Sequence, residues 1–225
     1  GSIGEVRKST LRAERFLSMA VFPCAFLLMA MSTPFIEVFS DVSYRGSAPI
    51  FLILMGWVIL RALSKPYASH FGGFNKPSYS LYLNLVYIPS NIVLNLVLIP
   101  ESIYGVQLAG WGIKGAAIAT LVSGLLNYIM IRLLSRKLIR IGPNHSLFRH
   151  FVAGGIVGSA LYLIQAYYPF VDRFYEILFV FATGLVIYAL ILYLMGELKR
   201  KDIEFFMDTI NPKKGLGYLR DETRR

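Results

Sequence analysis

Residues 78–100 read SYSLYLNLVYIPSNIVLNLVLIP, and this stretch decides the fold. It carries no formal charge and is long enough to cross a bilayer, which takes about 20 helical residues. Its polar residues are not scattered. Ser80, Asn84, Tyr87, Asn91 and Asn95 recur at steps of four, three, four and four, a spacing that lays them along one side of a helix. Such a stripe must face protein or water, because an unpaired amide in hydrocarbon is expensive. It either lines a cavity or ties two helices together. Pro89 sits inside the run and removes a helical hydrogen bond, which predicts a kink.

Residues 101–115, ESIYGVQLAGWGIKG, follow as a short Gly-rich hinge. A second apolar run, about Leu108 to Leu134, opens with Gly110, Gly112 and Gly115 and continues with Ala116, Ala117, Ala119, Thr120 and Ser123. Small residues let helices approach closely in lipid, where no hydrophobic effect drives them together.

The whole chain fits this reading. Of its 225 residues, 56% are hydrophobic, and the mean hydropathy of +0.56 points to a membrane protein. The net charge of +10 raises the question of nucleic acid. However, the Lys and Arg lie between and outside the apolar runs, as in membrane-protein loops, and no nucleic-acid partner is expected. Cys24 is a lone thiol inside an apolar run and says nothing about redox compartment.

Six spans are predicted, at about 16–39, 48–63, 79–99, 108–134, 151–168 and 174–195, making an all-α, polytopic lobe over 16–196. Residues 1–15 read as a basic linker and 197–225 as a basic tail. In the tail, Ile203, Phe206, Met207 and Ile210 share a helical face suited to the membrane surface. Gly154, Gly155 and Gly158 suit close packing in the fifth span. Six spans put both termini on one side. All but Arg45, Lys114 and Arg173 of the 23 basic residues then fall on that side. The positive-inside rule makes it the cytoplasm, of a prokaryotic cell membrane.

Asn91, Asn95, Pro100, Gly105, Gly112, Gly115, Ala116, Ala117, Ala119, Thr120 and Ser123, at these spacings between two spans, carry a family resemblance. The pattern resembles polysaccharide flippases of the multidrug/oligosaccharidyl-lipid/polysaccharide exporter superfamily. The stretch MSTPFIEVFSDVSYRGSAPIFLILMGWVI is similar to the family's seventh and eighth spans. Asn75-Lys76-Pro77 looks like the Gly-Lys-Pro before its ninth, with Asn in place of Gly. The resemblance covers about Phe16 to Met195 and matches the second half of a two-lobe transporter. It implies that the chain is the C-terminal lobe of a longer protein, with which the missing start Met agrees. The N-terminal lobe of the same full-length chain, or a second copy, would be its partner. It also implies that a polyprenyl-phosphate-linked oligosaccharide is flipped by alternating access between the lobes.

His70, His145 and His150 form no ligand pair at helical spacing, and no nucleophile elbow, P-loop or acidic pair appears. No enzyme activity, metal or cofactor is expected. All 13 acidic residues fall in loops, tails or span ends on the predicted boundaries. A drug/cation antiporter of the same superfamily commonly needs a carboxylate inside the membrane, so this lowers that alternative. A non-transporting membrane assembly subunit is the other. The basic residues suit an anionic substrate. Lys114 lies about 9 Å into the fourth span, Arg45 at the outer mouth, and Arg61 with Lys65 at the inner end of the second span. The substrate-path candidates are therefore Asn84, Asn91, Asn95, Lys114, Arg61 and Arg45, with Pro89, Gly110, Gly112 and Gly115 as hinge or packing residues. Lys114 alternatively snorkels to the interface, and Arg61 and Lys65 alternatively anchor the span in the lipid.

Overall fold

The computed structural model describes residues 3–73, 78–168, 171 and 173–198. These form seven α-helices. They are α1 (Ile3–Ala30), α2 (Ser32–Phe39), α3 (Ala48–Gly73), α4 (Ser78–Leu98), α5 (Gly112–Ile139), α6 (His145–Tyr167) and α7 (Phe174–Leu194). Six segments are long and apolar enough to cross a membrane, and the all-α, multi-pass reading holds. Lys76 and the tail from residue 199 lie outside the described residues, and so does the surface helix expected in that tail.

Prolines set the local breaks. Pro34 has no N–H to donate to the Ala30 carbonyl, and α1 ends at Ala30. The chain resumes as α2 after Met31, with Phe35 N–H bonded to Met31 O at 2.8 Å. Pro34 sits in α2's first turn, where its missing donor is tolerated. A 3-10 helix, Val42–Ser47, then leads into α3. Asp41 caps it by accepting from Ser43 N at 2.8 Å, a bond that holds the Asp41 carboxyl below its usual pKa.

Several boundaries differ from the sequence expectation, and among them α5 runs on to Ile139 rather than 134 and α6 starts at His145 rather than 151. Helix α1 starts at Ile3, so residues 3–15 are helix rather than linker. Helix α3 runs past Leu63 to Gly73, through Pro66. The link between α4 and α5 also differs. It is a β-hairpin, β1 (Ser102–Ile103) against β2 (Val106–Gln107), turned by Tyr104 and Gly105 with φ of 49° and 83°. Two consecutive positive φ values mark a type I′ turn. Gly110 and Gly112 also have positive φ, 66° and 52°, which delays the start of α5 to Gly112. The loop folds back on the end of α4, with Trp111 N–H on Leu98 O at 2.9 Å and Gly110 N–H on Pro100 O at 2.9 Å. The expected hinge is thus a hydrogen-bonded clasp.

The helices pack in the order α4, α5, α3, α1, α6, α7, with α7 also reaching α1. Phe22, Ala25, Ile59 and Leu63 join α1 to α3. Met19, Leu27, Ala153, Val157, Tyr188 and Leu192 join α1, α6 and α7. Gly158 lets α6 meet α1 closely, since a Cβ there would lie 2.9 Å from Phe26 O. Gly155, expected in the same contact, faces open space. The outward faces stay apolar, as Leu85, Ile92 and Leu96 on α4 and Phe179, Val186 and Leu190 on α7 show. That much continuous exposed hydrocarbon fits lipid, not water.

Candidate functional site

Arg61 gains most from the observed length of α3. It is an exposed residue midway between Ala48 and Gly73, about 20 Å from the helix start at 1.5 Å per residue. It lines a cavity of about 270 Å³ between α3, α4 and α5, with Trp57 and Ser64 beside it on α3, Tyr87 on α4, and Gly124 and Asn127 on α5. The Arg61 guanidinium stands 4.9 Å from the Trp57 ring centroid, over its face. Gly124 makes room for that ring, because a Cβ there would come within 2.6 Å of Trp57 Cδ1. Asn127 donates to Leu83 O at 3.3 Å and holds α4 to α5 beside the cavity. The cavity therefore offers a guanidinium with several N–H donors, a hydroxyl, a phenol and an amide.

The Asn stripe divides. Asn95 Nδ2 donates to Asn91 Oδ1 at 3.0 Å, and Asn91 Nδ2 donates to Ser123 Oγ at 3.1 Å. Ser123 Oγ donates in turn to Ala119 O at 2.7 Å. This chain of bonds ties α4 to α5, so Asn91 and Asn95 act as helix glue. Tyr87 alone of the stripe lines the cavity, and Asn84 is exposed. Pro89 sits inside an α4 that continues to Leu98. Gly115 brings α5 against the end of α4, since a Cβ there would lie 2.5 Å from Leu98 O.

The three basic candidates are not brought together. Lys114 is exposed in the first turn of α5. Arg45 precedes α3, and its Nε lies 3.1 Å from Glu37 Oε1. Arg61 is mid-helix in the cavity already described.

Two buried carboxylate clusters escaped the sequence reading. Glu14 on α1 is fully buried. It accepts from Arg132 Nη1 of α5 at 2.7 Å and from Asn144 Nδ2 at 3.2 Å. Arg132 also donates to the Tyr67 hydroxyl of α3. The signal was present in the spacing. Thr10, Glu14, Ser18, Phe22 and Ala25 are all buried and follow helical steps, but the neighbouring arginines disguised Glu14 as a linker residue.

Glu197, just after α7, accepts from Arg15 Nε at 2.9 Å and from Arg149 Nη1 at 2.7 Å. Arg15 Nη2 also donates to Glu197 O at 2.6 Å. Burial pushes the Glu197 pKa up, but hydrogen bonds from Ser146, Arg149 and Arg15, with the Arg15 charge, outweigh it and hold it below the ordinary value. His150 is buried beside this group, with Nδ1 2.7 Å from Ser18 Oγ. The two clusters draw on the N-terminal half of α1, the C-terminal parts of α3 and α5, the start of α6 and the turn after α7. They gather at the end of the bundle to which the charge pattern assigns most basic residues.

The chain is similar to the probable flippase AglR of Haloferax volcanii, at 29% identity over 129 residues. That alignment takes in 57% of this chain and 25% of the relative, so the chain matches only about a quarter of that protein's length. No family model matches the chain. No solved structure matches it.

Proposed function

We propose that the chain is one six-helix lobe of a membrane transporter that flips a polyprenyl-phosphate-linked oligosaccharide across the cytoplasmic membrane. Both ends of the lobe face the cytoplasm, and a partner lobe completes the path by alternating access. The observation that carries the reading is Arg61, an exposed arginine midway along a helix apolar enough to cross a membrane, lining a cavity of mixed polarity with no carboxylate among its described lining residues. A charge within a membrane span is costly, which makes such a residue a candidate for a substrate path. At about 270 Å³ the cavity is smaller than the roughly 300–1,000 Å³ typical of whole-ligand sites. It suits the phosphate linkage, with Tyr87 and Asn127 meeting the first sugar, rather than an entire glycan. The similarity to a probable flippase supports the same class.

Glu14 is the residue a cation-antiporter reading would use. It is already neutralised by Arg132, with Asn144 on its other oxygen, which favours a structural role. The test is Arg61→Ala and Arg61→Lys in the full-length protein, with lipid-linked glycan on the outer leaflet as the readout. Arg61→Ala should abolish flipping, and Arg61→Lys should retain part of it, since a lysine keeps the charge but not the fork of donors. Undiminished flipping by a well-expressed Arg61→Ala variant would sink the proposal.

A further inference from the structure

The opposite end of the bundle holds a second cavity, of about 370 Å³, where α2, the 3-10 helix and α6 meet. Its walls are polar. Ser32 and Thr33 bring hydroxyls, Glu37 and Arg45 bring an ion pair, and Gln165 brings an amide. The Gln165 Oε1 atom is buried and has no hydrogen-bond partner among the described residues. Directly beside this cup runs an apolar groove of about 470 Å³ between α1, α3 and α6, lined by Phe26, Met29, Leu52 and Leu163. Cup and groove share Ala30 and Tyr162 and so adjoin each other.

We propose that this compound cavity is a binding site for a resident membrane lipid whose headgroup is an uncharged, hydroxylated sugar. The occupant is amphiphilic because the site is: a polar cup adjoins an apolar groove on a face of the bundle turned to lipid. The headgroup is uncharged because Arg45 and Glu37 cancel each other, 3.1 Å apart. A phosphate would meet the Glu37 carboxylate as well as the guanidinium. The headgroup carries hydroxyls because the cup needs donors and acceptors together. Glu37 and Gln165 Oε1 accept, while Arg45 and the Ser32 and Thr33 hydroxyls donate. The Tyr162 ring stands at the junction, where the apolar face of a sugar ring can lie against it. This site is separate from the Arg61 cavity, and the proposal goes beyond the transport reading.

The experiment places the purified protein in nanodiscs containing equal amounts of monoglucosyl diacylglycerol, phosphatidylethanolamine and phosphatidylglycerol. Retained lipid is then identified by native mass spectrometry. The glucosyl lipid should be retained in preference to both phospholipids. Gln165→Leu should lower its retention about tenfold, the effect of one buried hydrogen bond. Ser159→Phe, at an exposed position lining the groove, should lower it similarly by blocking the chain. Because this second variant alters only a surface position, it keeps the test open if Gln165→Leu misfolds. Equal retention of the three lipids overturns the proposal, as does preference for either phospholipid. Glucosyl-lipid retention unaffected by Ser159→Phe overturns it too. Glycan flipping that survives both variants but fails in Arg61→Ala leaves the transport reading untouched.

Discussion

The ion pair between Glu14 and Arg132 should reveal itself through an asymmetry between its two halves. The Glu14 side chain is 0% exposed and the Arg132 side chain 24% exposed. Arg132→Met strands a carboxylate that cannot reach water and keeps only neutral partners, the Asn144 amide and the Tyr67 hydroxyl. Removing one partner of a buried pair costs about 3–5 kcal/mol, and the full burial of Glu14 places this variant toward the top of that range. Glu14→Gln is milder. Its Oε1 still accepts from Arg132, which can also lean toward solvent, and the loss is one charge-assisted bond, about 1–2 kcal/mol. Replacing both with apolar residues, Glu14→Leu with Arg132→Met, should recover much of the loss, because neither desolvated charge remains. Thermal melting in a single detergent would read the series, with Arg132→Met falling by on the order of 10 °C and Glu14→Gln by clearly less. Equal, small losses in both single variants would show that the pair is solvated, and the structural role assigned to Glu14 would be wrong.

Two other consequences are open to test. Gly115→Ala would bring a Cβ within 2.5 Å of the Leu98 carbonyl oxygen. It should destabilise the α4–α5 pair by about 1–3 kcal/mol, since backbone must move. Gly155→Ala, which meets nothing within 4 Å, should be neutral or stabilise by up to about 1 kcal/mol through helix propensity. A matched pair of melting curves checks this, and equal destabilisation would refute it. Glu197 sets a pH dependence. Its folded pKa lies below the unfolded value, near 4.3 for a free glutamate. Its stabilisation is therefore full above the unfolded value and is lost as pH falls through the lower folded value. Melting temperature measured from pH 7 to 3 should drop in that window, and Glu197→Gln should flatten the drop. A variant whose acid limb matches the parent would remove Glu197 as its cause.

How much of this was legible in the sequence depends on what each signal competes with. Helices α4 and α7 end within a residue of their expected limits because α4 carries no charge and α7 only Glu176 in its first turn, so apolar length fixes them. Helix α1 was shortened in the reading because Arg7 to Arg15 look like a linker. A helix that pairs its arginines across the bundle, as Arg15 does with Glu197, has no need to end where charge begins. Helix α3 was cut at Leu63 for the same reason, and that cut moved Arg61 from the middle of a helix to its end. The Asn stripe was legible as a face, but its role was not. Whether Asn91 lines a cavity or binds a neighbour depends on Ser123 standing opposite it on α5, which is a matter of helix register rather than of composition.

The same logic explains why the acidic residues misled. A carboxylate in a membrane helix reads as functional by default because burial is costly, and a carboxylate outside one reads as solvated. Glu14 and Glu197 break both halves of that rule. Each is buried, and each is held by cations drawn from helices distant in sequence: Arg132 for Glu14, and Arg15 with Arg149 for Glu197. The arginines counted as positive-inside loop charges are therefore partly structural. They stitch α1 to α5, α6 and the end of α7 at one end of the lobe. Arg61 stands out against this background, since among the described residues it faces a ring, an amide and hydroxyls but no carboxylate. On the proposed function, this exposed arginine, with no anionic partner among the described residues, is the group that the substrate's phosphate would meet.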